Sequence, residues 1–152
     1  MISFLARLEA LSQQIPHEVL AILARLSLGT IFLRSGLLKL DGWADGTTLE
    51  LFREEYRLPL LSPEVAAWLA TAAELSLPPL LFLGLLTRPA ALALLGMTLV
   101  IEIFVYPGAF DTHGIWAVGL LYLLKFGPGA VALDSLLARS RVDRKASTSP
   151  TV

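Results

Sequence analysis

The stretch that decides the fold is VAAWLATAAELSLPPLLFLGLL, residues 65–86. It is long enough for an α-helix to cross the hydrocarbon core of a bilayer, which takes about 20 predominantly apolar residues. One carboxylate, Glu74, lies near its middle. A charge at that depth costs at least about 2.5 kcal/mol unless it is paired or hydrated. The rest of the chain is therefore expected to supply partners for Glu74.

The composition indicates an integral membrane protein. Of the 152 residues, 55% are hydrophobic and 16% are charged, whereas about 25% are charged in soluble domains. The net charge of −1 gives no reason to expect a nucleic-acid partner. Because the chain has no cysteine, disulfides, thiol redox chemistry and thiolate metal sites are excluded, and no clear set of metal ligands is present.

The apolar pattern predicts an all-α polytopic membrane protein with a four-helix transmembrane bundle and short interfacial helices. The predicted domain covers residues 19–138, between an N-terminal interfacial segment (1–18) and a disordered tail (139–152). The four predicted spans, each near bilayer length, are residues 19–40, 64–86, 89–106 and 115–137. The polar segment 41–63 is expected to fold onto the membrane surface with a short amphipathic helix, LELFREEY, and Ser62-Pro63 is typical of a helix start.

The N-terminal segment lacks the uninterrupted apolar core of a signal peptide. Ile2, Leu5, Leu8 and Leu11 recur at helical spacing, which predicts a short helix lying in the membrane interface. A frayed cytoplasmic leader is the alternative. By the positive-inside rule, both termini are predicted to be cytoplasmic, because one side would carry Arg7, Arg88, Arg139, Arg141, Arg144 and Lys145.

Helix-breaking residues interrupt two of the predicted spans. Pro78-Pro79 is expected to kink the second helix just beyond Glu74. In the fourth, Phe126-Gly127-Pro128-Gly129 leaves two possibilities: a helix that continues after a kink, or a second half-helix that begins at Gly129. Small residues let membrane helices approach closely, and the candidate packing glycines are Gly29, Gly36, Gly127 and Gly129.

The candidate polar site consists of the charges placed within the spans, together with a histidine at the mouth of the fourth helix: Glu74, Lys125, Arg25, Glu102, Arg34 and His113. Their estimated depths predict that Glu74 contacts Lys125 or Arg25. They also predict a contact between Arg34 and Glu102, within the chain or between subunits. Lys39, placed at the end of the first span, is expected to reach the headgroups.

Three interpretations of these charges are possible. They could line a small polar cavity that handles a proton, a quinone headgroup or an anion, or they could be ion pairs that fix the register of the helices. The third interpretation is that the charged side chains snorkel to the headgroups or contact lipid. His113 could relay protons, because histidine is the residue type whose unperturbed pKa lies nearest to physiological pH. The alternative for His113 is an ordinary polar loop residue.

These residues resemble the DoxX family of small four-helix bacterial membrane proteins. In the first helix the resemblance rests on Arg25, Gly29, Phe32, Gly36 and Lys39. It continues through Glu74 and LFLGLLTRPAALALLGM (81–97), and then through His113 and GPGAVALD (127–134). Together these motifs cover about residues 20–134.

The resemblance implies an inner-membrane location and association with redox systems. Relatives include the small subunit of a thiosulfate:quinone oxidoreductase and a component linked to oxidative-stress enzymes. This chain departs from the family pattern at Arg34, an additional charge, and at Ser76-Leu77-Pro78-Pro79, where small glycine-rich residues are common. Without cysteine or a metal set, a redox role would depend on a bound quinone or on a partner protein.

Three functional hypotheses follow. The first is a subunit or scaffold of a membrane redox system, quinone-associated and not expected to be an enzyme on its own. The second is a small transporter or channel-like protein that binds an anion or a proton at the intramembrane charges. The third is a structural homo-oligomeric membrane module. In each case the lipid bilayer is the immediate partner.

Overall fold

The computed structural model describes residues 2–147 of the chain, with side-chain environments for residues 4–140. This part of the chain consists of helices without a strand, which confirms the predicted all-α class. Two π-helical turns, Phe52–Tyr56 and Ile101–Val105, continue α3 and α5 respectively. In chain order the helices are α1 (Ile2–Gln13), α2 (His17–Asp45), α3 (Thr47–Leu51), α4 (Pro63–Leu83), α5 (Thr87–Val100), α6 (Phe110–Phe126) and α7 (Leu133–Ser147).

Helices α2, α4, α5 and α6 form the bundle. Helix α2 packs against α4 and α6, and α5 packs against the same two helices. Three segments are long and apolar enough to cross a membrane: His17–Asp45, Pro63–Leu83 and Thr87–Val105. Helix α6 has 17 residues, about 26 Å at 1.5 Å per residue. The chain is a membrane-embedded helical protein.

The bundle has two ends, the tail end and the loop end. The tail end contains the start of α2, the α4–α5 turn and the break between α6 and α7. The loop end contains α3, the start of α4 and the π-helical turn Ile101–Val105.

Helix α2 is longer than predicted, and this changes the depth of its charges. The helix continues through Asp41 and Gly42 to Asp45, and it ends at Gly46, whose φ is 84°. Lys39 therefore lies six residues before the end of the helix, about 9 Å deeper than a residue at its terminus. The buried face of α2 carries Ala21, Arg25, Leu28, Gly29, Phe32, Gly36, Lys39 and Gly42.

Helix α4 begins at the predicted start signal. The Ser62 hydroxyl accepts a hydrogen bond from the N–H of Val65 (3.4 Å), and Pro63 occupies the first helical position. The helix continues through Pro78 and Pro79 and ends at Leu83. Because proline has no N–H, Pro78 donates no helical bond to the carbonyl of Glu74, one turn earlier.

The predicted fourth span is divided into two helices. Helix α6 ends at Phe126, and Gly127 and Gly129 have φ values of 85° and 86°, in the left-handed region that favours glycine. A new helix begins at Leu133. A continuous kinked helix is therefore wrong, and the second half-helix begins four residues later than Gly129.

Helix α7 includes residues 139–147, for which the sequence predicted disorder. It extends to Ser147, whereas residues 148–152 of the predicted tail lie outside the described part of the chain. Side-chain hydrogen bonds fix its first turn: Asp134 accepts from the N–H groups of Leu86 (2.9 Å) and Thr87 (3.0 Å), and Ser135 donates to the carbonyl of Gly129 (2.7 Å). The helix continues from this anchored turn.

Two apolar clusters form the core. The larger one joins all four bundle helices and includes Leu28, Phe32, Leu81, Leu94 and Leu120. The smaller one lies at the loop end and consists of Phe52, Tyr56, Ala66, Ala67 and Ile101. Met97 packs against both clusters.

We expect Gly36→Ala to destabilise the protein by about 1–3 kcal/mol. A Cβ at Gly36 would lie 2.9 Å from the backbone carbon and the Cβ of Glu74, and rigid backbone cannot give way cheaply. Equilibrium unfolding in mixed micelles measures the change. The control is Gly96→Ala in α5, where a Cβ meets nothing within 4 Å, so this variant should be neutral or slightly stabilising. Equal effects of the two substitutions would contradict close α2–α4 contact at Gly36.

Candidate functional site

A buried ion pair joins α2 and α4 at mid-bundle. The Nζ of Lys39 lies 2.8 Å from Oε2 and 3.0 Å from Oε1 of Glu74. The Lys39 side chain is 7% exposed and that of Glu74 is 2% exposed. Ser35 completes the group, because its hydroxyl accepts from Lys39 (2.8 Å) and donates to Oε1 of Glu74 (3.1 Å).

The helix crossing at Gly36 positions this group. Gly36 lies against the backbone of Glu74, so the side chains of Ser35 and Lys39, one residue before and three after it, flank the carboxylate. A hydrogen bond from the Thr48 hydroxyl to the carbonyl of Lys39 (2.6 Å) connects α3 to the same turn of α2. Trp43 adds a further link, because its Nε1 donates to the hydroxyl of Thr71 on α4 (3.2 Å).

The hydrogen-bonding capacity of the group is almost fully used. An ammonium has three donors, and those of Lys39 go to both carboxylate oxygens of Glu74 and to Ser35. An ionised carboxylate offers about four acceptor positions. Glu74 fills three of these with the two bonds from Lys39 and the one from Ser35. One acceptor position on Oε2 is left for another donor.

An apolar cavity of about 280 Å³ reaches Glu74 from the α5 side of the ion pair. Glu74 is the one charged residue among the described residues that line it. Leu69 and Val100 also line it and are exposed on the outer surface of the bundle, so the cavity can be reached from the hydrocarbon. Its remaining lining is Phe52, Tyr56, Leu58, Leu61, Ala66, Ala70, Ala73, Met97 and Ile101.

A second, more polar cavity of about 410 Å³ lies on the Lys39 side. Its lining includes Ser35, Lys39, Thr47 and Thr48. Tyr56 lines both cavities. Burial raises the pKa of Tyr56, so its hydroxyl stays protonated at physiological pH. The ion pair thus lies between an apolar space and a polar one, with a neutral phenol at the wall between them.

Glu102 and His113 form a separate polar pair at the loop end. The Nδ1 of His113 lies 2.6 Å from Oε2 of Glu102, and the imidazole packs edge-on against Trp116 with ring centroids 5.1 Å apart. The hydroxyl of nearby Tyr106 donates a hydrogen bond to Glu55. Partial burial and this hydrogen bond raise the pKa of Tyr106 to about 12. A proton-relay role for His113 stays a prediction.

Arg25 serves the backbone at the tail end and has no contact with Glu74. Its Nε and Nη2 donate to the carbonyls of Leu81 (2.7 Å) and Phe82 (2.6 Å), at the end of α4. Its Nη1 donates to the carbonyls of Pro128 (3.1 Å) and Val131 (3.2 Å), in the break before α7. Arg25 therefore holds α2, α4 and the α6–α7 break together.

The predicted ion pairs are wrong within the chain. Glu74 pairs with Lys39 rather than with Lys125 or Arg25, and Glu102 pairs with His113 rather than with Arg34. Lys125 is exposed near the end of α6, with its Nζ 5.0 Å from the ring centroid of Phe126. The reason is the orientation of the two side chains. Lys125 and Arg34 are on the outer surface of the bundle, away from the carboxylates.

Sequence reasoning missed Lys39, Ser35 and Tyr56 as site residues. The signal for Lys39 was present, because it shares the buried face with Gly36, but an early end predicted for α2 placed it at the headgroups. Tyr56 had no such signal, since only the fold of the segment between α2 and α4 brings it to Glu74. Among the described residues, no group of three metal-ligating side chains occurs.

One comparison with known proteins identifies a family for the chain. The family model DoxX matches residues 20–107, more than half of the chain, and the match includes the whole Lys39–Glu74 site. Neither the curated proteins nor the solved structures contain a match to the chain. The match ends before α6, so the resemblance noted at His113 and residues 127–134 stays a prediction. The matched residues cover most of the bundle, from the first turn of α2 to just beyond α5, and the chain belongs to the DoxX family.

Proposed function

We propose that this DoxX protein is a non-catalytic, quinone-associated subunit of a membrane redox system. The observation that carries the proposal is the apolar cavity of about 280 Å³, in which Glu74 is the one charged residue among the described residues of the lining. Small-molecule sites have volumes of about 300–1,000 Å³ and pair an apolar lining with a few placed polar groups. This cavity has room for one ring, and an isoprenoid tail would pass Leu69 and Val100 into the lipid.

The polar groups suit a quinone headgroup. A hydroquinone has two hydroxyl donors, and Glu74 retains one acceptor position on Oε2. Its partner Lys39 donates to both oxygens of the carboxylate, and a buried carboxylate is tolerated when it is paired and hydrogen-bonded. The chain's own residues thus bind and orient the headgroup, and electron transfer would belong to a partner protein.

We expect Ala70→Phe to weaken quinone binding strongly, because its side chain would fill the cavity that Ala70 lines. The probe is a hydroquinone carrying one prenyl unit and kept reduced, so that its hydroxyls can donate to Glu74, and the readout is the rise in unfolding temperature of the protein in nanodiscs. The matched control is Ala72→Phe, on the same helix but exposed. Wild type and Ala72→Phe should be stabilised, with Ala70→Phe needing at least about ten times more hydroquinone. An equal response of all three would contradict the site.

The positions of the charged residues in the described part of the chain do not favour a path for transport across the membrane. On the inner face of α2, Leu28 and Phe32 are buried between Arg25 and Lys39, so an apolar layer separates the charged groups along the bundle.

For orientation, we propose an inner-membrane protein with the tail end cytoplasmic, which puts the larger number of Lys and Arg residues on that side. A periplasm-active reporter inserted at residue 60 should give signal, and one fused at residue 147 should not.

Association with redox partner proteins is part of the proposal. Purification from native membranes, followed by identification of bound lipid and protein, tests it. A bound quinone together with a stoichiometric oxidoreductase is the expected result. A stable homo-oligomer that holds neither would contradict the proposal and favour a structural module.

A further inference from the structure

Arg34 is a charged side chain on the outer surface of α2. It is exposed, whereas Arg25 and Lys39 on the same helix are buried. Among the described residues, none forms a hydrogen bond or ion pair with the Arg34 side chain. A lipid-facing guanidinium is unfavourable unless it is paired or reaches water, so its depth in the membrane decides what it needs.

The crossing of α2 and α4 fixes that depth. Gly36 packs against the backbone of Glu74, the twelfth of the 21 residues of α4, so Gly36 lies level with the middle of α4, which is long enough to span the membrane. Arg34 is two residues away, about 3 Å along the axis. The nearer end of α2, at Asp45, is 11 residues from Arg34, or about 16 Å. Arg34 therefore lies close to the bilayer midplane, where snorkelling from a helix end does not apply.

The surface around Arg34 has the pattern of a helix-packing seam. Exposed residues recur at alternating spacings of four and three along α2: Leu23, Ser27, Thr30, Arg34, Leu37 and Asp41. This spacing presents one straight face to a neighbouring helix. The small side chains of Ser27 and Thr30 permit a close approach.

A second copy of the chain fits this seam poorly. Of its carboxylates within the spans, Glu74 is bound by Lys39 and Glu102 by His113. Asp41 is seven residues from Arg34, about 10 Å along the helix. A two-fold pairing of parallel α2 helices would also place Arg34 against its own copy, and like charges repel.

We propose that this seam binds a transmembrane helix of a different protein, one that carries an aspartate or glutamate near its midpoint to pair with Arg34. The seam lies on the outer surface of α2, and none of its residues lines the Glu74 cavity. Helix binding at the seam and quinone binding in the cavity are therefore independent, and either can fail alone.

The test uses designed helices as the probe. Because the chain has no cysteine, Ser140→Cys provides a single labelling site on exposed α7. Labelled protein is reconstituted into vesicles with a labelled 21-residue Leu/Ala peptide that carries either Glu or Gln at its centre, and energy transfer reports association. Because the Glu or Gln is at the centre of the peptide, its depth in the membrane is the same whichever way the peptide inserts.

We expect the Glu peptide to bind wild type at least about five-fold more tightly than the Gln peptide. Arg34→Leu should remove this preference and Arg34→Lys should keep it. The control Lys125→Leu, which removes an exposed cation from α6, should also keep it. Equal binding of both peptides to wild type, or a preference that survives in Arg34→Leu, would overturn the proposal. Self-association through Arg34 would also overturn the proposal. It would appear as energy transfer between protein copies that exceeds the peptide signal and disappears in Arg34→Leu.

Discussion

Replacing Lys39 with methionine is expected to destabilise the protein by about 3–5 kcal/mol, because removing one partner of a buried ion pair leaves the other charge without compensation. Glu74 is 2% exposed, so little water can replace the lost ammonium. Ser35 would retain one hydrogen bond to the carboxylate. Equilibrium unfolding in mixed micelles measures the loss.

The double substitution Lys39→Met with Glu74→Leu should recover most of that stability, since apolar groups of similar volume often replace a buried pair at little cost. The matched control is Lys125→Met, the same change at an exposed lysine, which should stay within about 0.5 kcal/mol of wild type. If Lys39→Met were as stable as Lys125→Met, the ion pair would not be part of the folded protein. If the double variant were as unstable as the single one, the loss would be one of packing rather than of charge.

Replacing Arg25 with methionine is expected to destabilise the protein by about 3–5 kcal/mol, because hydrogen bonds that involve a charged group contribute about 1.5–3 kcal/mol each. Arg25 donates to four carbonyls, two at the end of α4 and two in the break before α7. The bond to Leu81 is buried and the other three are partly buried. Lysine should recover less than half of the loss, since an ammonium has three donors at one point. Unfolding in mixed micelles again measures stability.

The expected loss at Arg25 also has a local signature. Protease cleavage within residues 127–132 should accelerate in Arg25→Met, because these residues lose their anchor to α2. The control is Arg34→Met, the same change at an exposed position of the same helix, which should not lower stability and should leave cleavage near wild type. An unchanged cleavage rate together with unchanged stability in Arg25→Met would show that the carbonyls find other donors.

The buried face of α2 could be predicted from the sequence because it depends only on helical periodicity. Arg25, Gly29, Phe32, Gly36 and Lys39 recur at intervals of three and four residues, and all five are buried. The partners of these residues could not be predicted in the same way. They depend on where each helix ends, and Asp41 and Gly42, which suggested a break, are inside α2.

The error over Lys39 illustrates this point. A span that ended at residue 40 put Lys39 at the headgroups and directed Glu74 to more distant cations. The helix nevertheless continues through Asp41 and Gly42. Gly42 lies where α3 packs closely against α2, because a Cβ there would lie 2.5 Å from the hydroxyls of Thr47 and Thr48. The glycine that suggested a helix break therefore provides room for this contact.

By itself, the sequence determined the class of protein, the helical bundle and the family, because apolar length and periodicity are local properties of the chain. It also determined that Glu74 needs a partner within the membrane. Only the tertiary structure decided which cation pairs with Glu74, that Arg25 binds carbonyls rather than a carboxylate, and that Arg34 faces outward. Each of these depends on the rotation and axial position of one helix relative to another. The cavity beside Glu74 was likewise decided by the fold, because residues from the loop, α4 and α5 enclose it together.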